Sequence, residues 1–441
     1  MSLNDKLNAA LASREKRLIR RRLPDPSADD HLVDFFTNDY LSLSHSPDLR
    51  SRFLRKLHDA PHVLGSGGSR LLVNGHAHAS FEARLAAFFR APAALLFNSG
   101  FDANVGLFSS VPQPGDAVVY DEHIHASVHD GMRSSRVAAG ARVPFAHNSP
   151  SALRAVLERL IASHPRLREG ESSVFVAVEA LYSMDGTLAP LMDIVEVVEA
   201  LLPRGNGYVV VDEAHSTGVY GPQGRGLVAA YGLEDRVFAR LHTFGKALAG
   251  TGAVLLVTAL VRDYLLNYAR SLIYTTSLSY ANIIAADCSF DLLEDGEADK
   301  LARKLLDLST YFLATLRHHL STRSVSPALL SLPPHLFSCA QKPEFATPII
   351  PVLTPHPRPL SAHLRVRGLN ARPITWPTVP KGADRVRVCL HAHNTTEDVD
   401  RLVGAMVEWA ESRELAQKGV GAGSGNGSGQ GEGVASVQAK L

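Results

Sequence analysis

Cysteine is scarce: Cys288, Cys339 and Cys389 are the whole complement, odd in number and far apart. Such a set builds neither a disulfide framework nor a CxxC metal site, and it suits a reducing compartment. Also missing is any apolar run near the roughly 20 residues needed to cross a bilayer. Charge of one sign is absent too, since 45 Lys and Arg stand against 44 Asp and Glu, a formal net charge of +1. That balance leaves no electrostatic footprint for nucleic acid and no basic field toward an anionic membrane. No P-loop or GxGxxG follows any strand-like run, which sets aside a general nucleotide-binding module. The remainder, 441 residues of which 45% are hydrophobic and 20% charged, reads as a soluble, multi-domain enzyme rather than a scaffold.

The chain opens on MSLNDKLNAALASREKRLIRRR, with Leu3, Leu7 and Leu11 at helical spacing and a closing run of arginines. This predicts an amphipathic helix packed on the body and ended by Pro24 and Pro26. An Arg-rich presequence is the rival, but Asp5 and Glu15 oppose it because such peptides are poor in acids. Further on, AALLF (93–97), AVVY (117–120), SVFVAV (173–178), YVVV (208–211) and AVLLVT (253–258) are β-rich runs without clean alternation. Strands buried on both faces look like this, and they belong to parallel sheets covered by helices. Several end in polar residues (Asn98-Ser99-Gly100, Asp121-Glu122, Glu179, Asp212-Glu213), which nominates one cleft at the carboxyl ends of the strands.

The expected fold is α/β, a large domain with a mostly parallel sheet plus a small C-terminal α+β domain. Residues 1–45 form the N-terminal helix and arm, 46–290 the large domain, and 291–412 the small domain with the strand-like RVRVCLHA. Residues 413–441, rich in alternating glycine, read as a flexible tether. It ends in Ala439-Lys440-Leu441, close to the Ser-Lys-Leu peroxisomal address. Import by the peroxisomal receptor is the expectation, with the cytoplasm as the alternative.

The most informative stretch is YVVVDEAHSTGVYGPQGRG (208–226), followed by HTFGKALAGTGAVL (242–255). A strand delivers Asp212 to the cleft, His215 follows three residues on, and Lys246 comes after a small-residue turn. That combination is what pyridoxal phosphate chemistry requires. The lysine amine holds the cofactor as a Schiff base, and the aspartate keeps the pyridine nitrogen protonated so the ring acts as an electron sink. A lone lysine is ordinarily a solvated charge, but Lys246 sits among Thr, Gly and Ala before the apolar AVLLV. Asp212 could equally cap a helix.

DEAHSTGVYGPQGRG with TFGKA resembles the α-oxoamine synthases, fold-type I pyridoxal phosphate enzymes that condense an amino acid with an acyl-CoA and release carbon dioxide. FFTNDYLSLS (35–44), GSGGSRLLVNGHAHASFE (65–82), FNSGFDAN, DEHIHAS, EALYSMDGTLAPL and PTVPKGADRVRVCL resemble further motifs of that family, in its order. The resemblance covers about residues 1–412. It implies catalytic roles for Lys246, Asp212, His125 and His215. Ser99, Gly100 and Phe101, after a strand and opening a helix, would meet the phosphate, as would Thr243. His125 would stack on the ring, His215 would reach the ring hydroxyl, and Ser183 would join them at the cofactor. Thr276, in IYTTSLS, resembles a phosphate contact given by a partner subunit, which implies a homodimer with shared sites. Asn38 and Glu179 would line the substrate side.

The N-terminal stretch resembles one branch of the family, where the first arginine of a triplet, Arg20 here, pairs with the far carboxylate of the acyl-CoA. A fork of donors suits a carboxylate, although Arg20, Arg21 and Arg22 could simply face solvent. One position departs from the pattern. Thr375 stands where the family usually carries an arginine for the amino acid's carboxylate, and Arg372, three residues earlier, is the candidate substitute. Other acyl-CoA and amino-acid pairings of the family stay open, as does a non-catalytic partner subunit, which the joint presence of Lys246, Asp212, His125 and His215 opposes.

Overall fold

The computed structural model describes residues 1–23, 26–323, 325–336 and 346–422. Pro24, Cys339 and residues 423–441 of the expected tail, with Ala439-Lys440-Leu441, lie outside them. Along the chain come β1 (Val33–Asp34), β2 (Ala93–Phe97), β3 (Ala117–Asp121), β4 (Arg142–Phe145), β5 (Val174–Glu179) and β6 (Gly207–Asp212). Then follow β7 (Ala239–Thr243), β8 (Ala253–Val257), β9 (Ile349–Leu353), β10 (Leu369–Asn370), β11 (Arg372–Ile374) and β12 (Arg385–Cys389).

The five β-rich runs all become strands of one seven-stranded sheet in the order β2-β8-β7-β6-β5-β3-β4. Only β8 runs against its neighbours β2 and β7; the other contacts are parallel. Six strands therefore point the same way and bring their carboxyl ends to one edge. The runs lack alternation because both faces are covered. Val176, Val178, Val209 and Val211 pack into one apolar layer, and Phe175, Ala177 and Val210 into the other.

Two strands of the sheet were not evident from the pattern. β7 reads Ala-Arg-Leu-His-Thr, and its polar members are buried rather than exposed. Arg240 Nη2 donates to the Phe89 carbonyl at 3.0 Å, His242 Nδ1 lies 2.9 Å from Thr217 Oγ1, and the His242 ring stacks on Phe89 at 4.1 Å. β4 carries Pro144 and survives because it is the edge strand.

A second antiparallel sheet, β11-β12-β9, builds the C-terminal domain. The N-terminal arm belongs to it structurally. β1 pairs with β10 in parallel, the Phe35 N–H donates to Asn370, and the Cys389 N–H donates to Phe35. A single helix, Tyr280–Glu294, runs through the boundary expected at 290. The last helix, Thr396–Ala422, continues ten residues beyond the expected start of the tether, through RELAQKGVGA.

The first helix, Leu3–Lys16, differs from expectation in two ways. It has no buried residue, and Leu3, Leu7 and Leu11 are exposed instead of packed on the body. Its stability comes from a capping box, in which Ser2 and Asp5 exchange hydrogen bonds. It also stops at Lys16, well before the prolines, where the chain turns through Leu18 at φ 57°. Arg20 and Arg22 then fold back onto Glu15 at 3.4 and 3.1 Å.

A buried ion pair anchors the loop that precedes the sheet. Glu82 Oε1 accepts from Arg70 Nη1 at 2.7 Å and from the Leu96 N–H of β2 at 2.9 Å, while Oε2 takes Arg70 and Arg262. Both partners of the pair are 6% exposed. Removing one side strands the other in a low dielectric. Glu82→Ala should therefore cost about 3–5 kcal/mol of stability, read as a lowered midpoint of denaturant unfolding; an unchanged midpoint would refute the role.

Candidate active site

The carboxyl edge gathers the chemistry because a register holds it there. Glu179 at the end of β5 lies directly beside Asp212 at the end of β6, and Asp212 beside Leu241 of β7. The turn after β6 is fixed by Glu213, fully buried, whose carboxylate accepts the backbone N–H groups of Leu227 and Val228 at 3.0 and 2.7 Å and the Ser216 hydroxyl. Gly226 lets that happen. At φ 93° it brings the backbone so close that a Cβ would lie 2.7 Å from the Glu213 carboxyl. This is the physical reason for the spacing of DEAHSTGVYGPQGRG, and it sets Asp212 and His215 on one rigid turn.

Asp212 is 7% exposed. Its Oδ1 accepts the Ala214 N–H at 2.9 Å and its Oδ2 accepts from Asn104 Nδ2 at 2.8 Å. Lys246 follows β7 on a tight turn, where Gly250 N donates to Phe244 O and Ala249 N to Lys246 O. Among the described residues its amine makes no hydrogen bond. Desolvation pushes that amine from an ordinary 10.5 down to about 8; Arg387 adds to the fall, while Asp212 and Glu179 resist it. Burial holds the Glu179 carboxyl well above the usual range, and the neighbouring Asp212 charge raises it further. Glu179 and Asp212 thus compete for negative charge at adjacent strand ends, and burial weighs against the charged form of Glu179.

His215 is buried, with Nδ1 2.7 Å from the Tyr40 hydroxyl. Burial keeps it far below the usual histidine range, and the Lys246 and Arg387 charges add to this. Tyr40 in turn donates to Asn38 Oδ1 at 3.2 Å, and that oxygen also takes Arg387 Nη2 at 2.5 Å. Arg387, on β12 and 6% exposed, brings a buried positive charge from the small domain to the site.

At the other end, Ser99 caps the helix Gly100–Ser110, accepting the Asp102 N–H at 3.1 Å. The N–H groups of Gly100 and Phe101 point out of the first turn. Thr243 faces them, its Oγ1 3.7 Å from where a Gly100 Cβ would stand. A helix start with free N–H groups beside a hydroxyl is an anion site. Thr276 is exposed nearby, its carbonyl accepting from Asn98 Nδ2 at 2.7 Å. His125 heads the helix Ala126–Ser134 and is exposed toward the cleft.

A cavity of about 370 Å³ is lined by His123, Tyr182, Ser183, Met184, Asp185 and the segment from Trp376 to Pro380. Arg17 and Lys381 lie over the Trp376 ring, at 6.0 and 5.4 Å from its centroid. Thr375 is engaged by Arg358 at 3.3 Å. Arg372 does not substitute for the missing arginine. It is paired with Asp29 and lies over Phe36, 5.6 Å from the ring centroid. Arg20 is exposed and bound to Glu15.

The expected residues Lys246, Asp212, Glu179, His215 and Asn38 thus converge, while Arg372 is held elsewhere. Sequence reading missed Tyr40, Asn104, Ser127 and Arg387. Each lies inside a quoted motif, but its role depends on contacts across more than 20 residues of chain. The donor set fits pyridoxal phosphate: an anion site, a carboxylate fixed by two donors, a buried histidine held below its usual range and a lysine amine lowered to about 8.

A model of the family described as aminotransferase class I and II matches residues 30–406, and the chain belongs to that family and, within it, to the α-oxoamine synthases. An 8-amino-7-oxononanoate synthase of Emericella nidulans is 50% identical over 420 residues, covering 93% of this chain and 97% of that protein. Aminoacyl transferase sphA of Aspergillus fumigatus is 40% identical over 383 residues, 86% of this chain and 81% of its own. The solved serine palmitoyltransferase of Sphingomonas wittichii shares the fold, with a TM-score of 0.77 at 24% identity over 94% of this chain and 100% of that one.

The depressed amine can be measured directly. Labelling of Lys246 in the cofactor-free protein by an amine-reactive reagent should rise with pH through about 8. Asp212→Asn should move that midpoint down, because it removes a negative charge that favours the ammonium; Arg387→Met should move it up. Peptide mass spectrometry against pH reads both, and a midpoint at the ordinary lysine value in all three proteins would overturn the assignment.

Proposed function

We propose that this chain is an 8-amino-7-oxononanoate synthase, which joins pimeloyl-CoA to L-alanine and releases carbon dioxide and free CoA, making a precursor of biotin. The observation that carries this reading is the Lys246 amine, lowered to about 8 beside Asp212 and Glu179, in a chain 50% identical to a synthase of that name.

Pyridoxal 5'-phosphate is the group these residues would hold. The N–H groups of Gly100 and Phe101, with Ser99 and Thr243, suit its phosphate. His125 suits the ring face, Asp212 the ring nitrogen, His215 the ring hydroxyl and Lys246 the aldehyde, with Ser183 at the cavity wall. When bound, that group draws electrons from the amino acid's α-carbon. The remaining work falls to the chain. Lys246, neutral at mildly alkaline pH, takes the α-proton as general base. Asp212, fixed through both oxygens, holds a proton at the ring nitrogen. Arg387 offers the amino acid's carboxylate a buried positive partner, where Thr375 offers none. Tyr182, Met184 and Trp376 give the acyl chain an apolar wall, and Arg20 is the donor fork for its far carboxylate.

The working unit in this reading is a homodimer, with Thr276 of one subunit at the phosphate of the other. Exposed Leu71, Leu72, Phe101 and Tyr274 around that end support it, since clustered apolar surface marks an interface. Ala439-Lys440-Leu441 directs the enzyme to the peroxisome, where β-oxidation can furnish a dicarboxylic acyl-CoA.

Purified protein should show the visible absorption of a lysine-bound cofactor. L-Alanine should shift it, and pimeloyl-CoA should then yield the amino ketone by mass spectrometry. A band that ignores alanine and answers to glycine or serine would keep the family and change the product. Lys246→Ala should lose the covalent link and about 10²–10⁴ in kcat; full turnover would sink the mechanism. Deleting Ala439-Lys440-Leu441 from a fluorescent fusion should turn a punctate pattern diffuse, and unchanged puncta would remove the peroxisomal address.

A further inference from the structure

Asp212 and His125 stand on separate segments, and two buried residues join them. Asn104, on the helix Gly100–Ser110 and 2% exposed, donates through Nδ2 to Asp212 Oδ2 at 2.8 Å and to Ser127 Oγ at 3.0 Å. Ser127, with no exposure at all, has its Oγ 2.8 Å from His125 Nδ1, and its backbone N–H donates to the same nitrogen at 3.3 Å.

Counting protons fixes every direction in this chain. A carboxylate only accepts, so the amide nitrogen of Asn104 must face Asp212. Its second N–H goes to the Ser127 oxygen. Ser127 therefore accepts from Asn104 and is free to give its single hydroxyl proton to His125 Nδ1. That nitrogen already takes a backbone N–H, which can only donate, so it carries a lone pair. Neutral His125 then bears its proton on Nε2. The other oxygen of Asp212 is held by Ala214 at 2.9 Å, so the carboxylate plane is locked as well.

We propose that Asn104 and Ser127 are positioning residues, a one-way chain of donors that sets the orientation of the Asp212 carboxylate and the tautomer of His125 as a single unit. The importance of that unit rests on the reading that pyridoxal phosphate lies between those two side chains. A misdirected amide or an Nδ1-protonated imidazole would leave a buried donor facing a donor, which costs as much as a lost hydrogen bond to a charged group.

The test uses the full chain with ¹⁵N-labelled histidine and no cofactor, with His125→Gln identifying the resonance. The wild type should show His125 protonated at Nε2 with an unprotonated, hydrogen-bond-accepting Nδ1. Ser127→Ala and Asn104→Ala should mix the tautomers, and Ser127→Thr, which keeps the hydroxyl, should restore the wild-type state. Asn104→Asp keeps the shape and cannot donate to Asp212, so it serves if the alanine variant does not fold. In parallel, titration with pyridoxal 5'-phosphate should show binding about ten- to hundredfold weaker in Ser127→Ala, Asn104→Ala and Asn104→Asp, recovered in Ser127→Thr. An Nδ1-protonated wild-type His125, or variants with wild-type tautomer and affinity, would overturn the proposal. A locked wild-type tautomer in a protein that binds no pyridoxal phosphate would instead overturn the cofactor reading and leave the donor chain standing.

Discussion

An ionised carboxylate set at the end of a central buried strand is expensive unless its oxygens are met, and the geometry around Asp212 follows from that requirement. One oxygen takes the next turn's backbone and the other takes Asn104. Glu179, its neighbour in register, is pushed well above the usual carboxyl range by its own burial and, after that, by the Asp212 charge. Lys246 finds two carboxyl groups ahead of it and a buried arginine to one side, and desolvation still prevails to bring its amine within reach of neutrality. The acid, the base and the charge that balances them are consequences of one buried group.

The positioning of that group depends on a second buried carboxylate with a different task. Glu213 is spent wholly on backbone N–H groups and a serine hydroxyl, and Gly226 gives it room. One glutamate thus works as structural mortar while its sequence neighbour stays available for chemistry. Adjacent acids on one motif divide the labour because Asp212 ends the strand while Glu213 lies in the turn that follows it.

The five unbroken apolar runs were legible as strands of a covered sheet because burial on both faces removes alternation, and the structure places all five together. The polar residues at their ends were legible as a cleft for the same reason. β7 was not, because its arginine and histidine satisfy themselves inside the protein through a carbonyl and a threonine hydroxyl that no local pattern reveals. The leucine stripe of the first helix was read correctly as a helix and wrongly as packed, since periodicity states that a face is apolar but not what covers it. Lys246, Asp212 and His215 could be read from local motif chemistry. Arg387 and Asn104 could not, since each meets the site across a long loop of chain, and Arg372 was the more visible arginine only because it lies nearer in sequence to Thr375.

The pairing of β1 with β10, and of Phe35 with both Asn370 and Cys389, sets an order in time. A ribosome delivers Val33 to Tyr40 early, yet their partners emerge only after some 330 further residues have been added. Tyr40 meets His215 only 175 residues on, but Asn38 cannot take its place against Arg387 until nearly the whole chain has been synthesised. The large sheet has its strands complete long before that. The earliest residues made are thus among the last to be seated, and a nascent chain carries a finished sheet with an unfinished cleft until its C-terminal domain arrives.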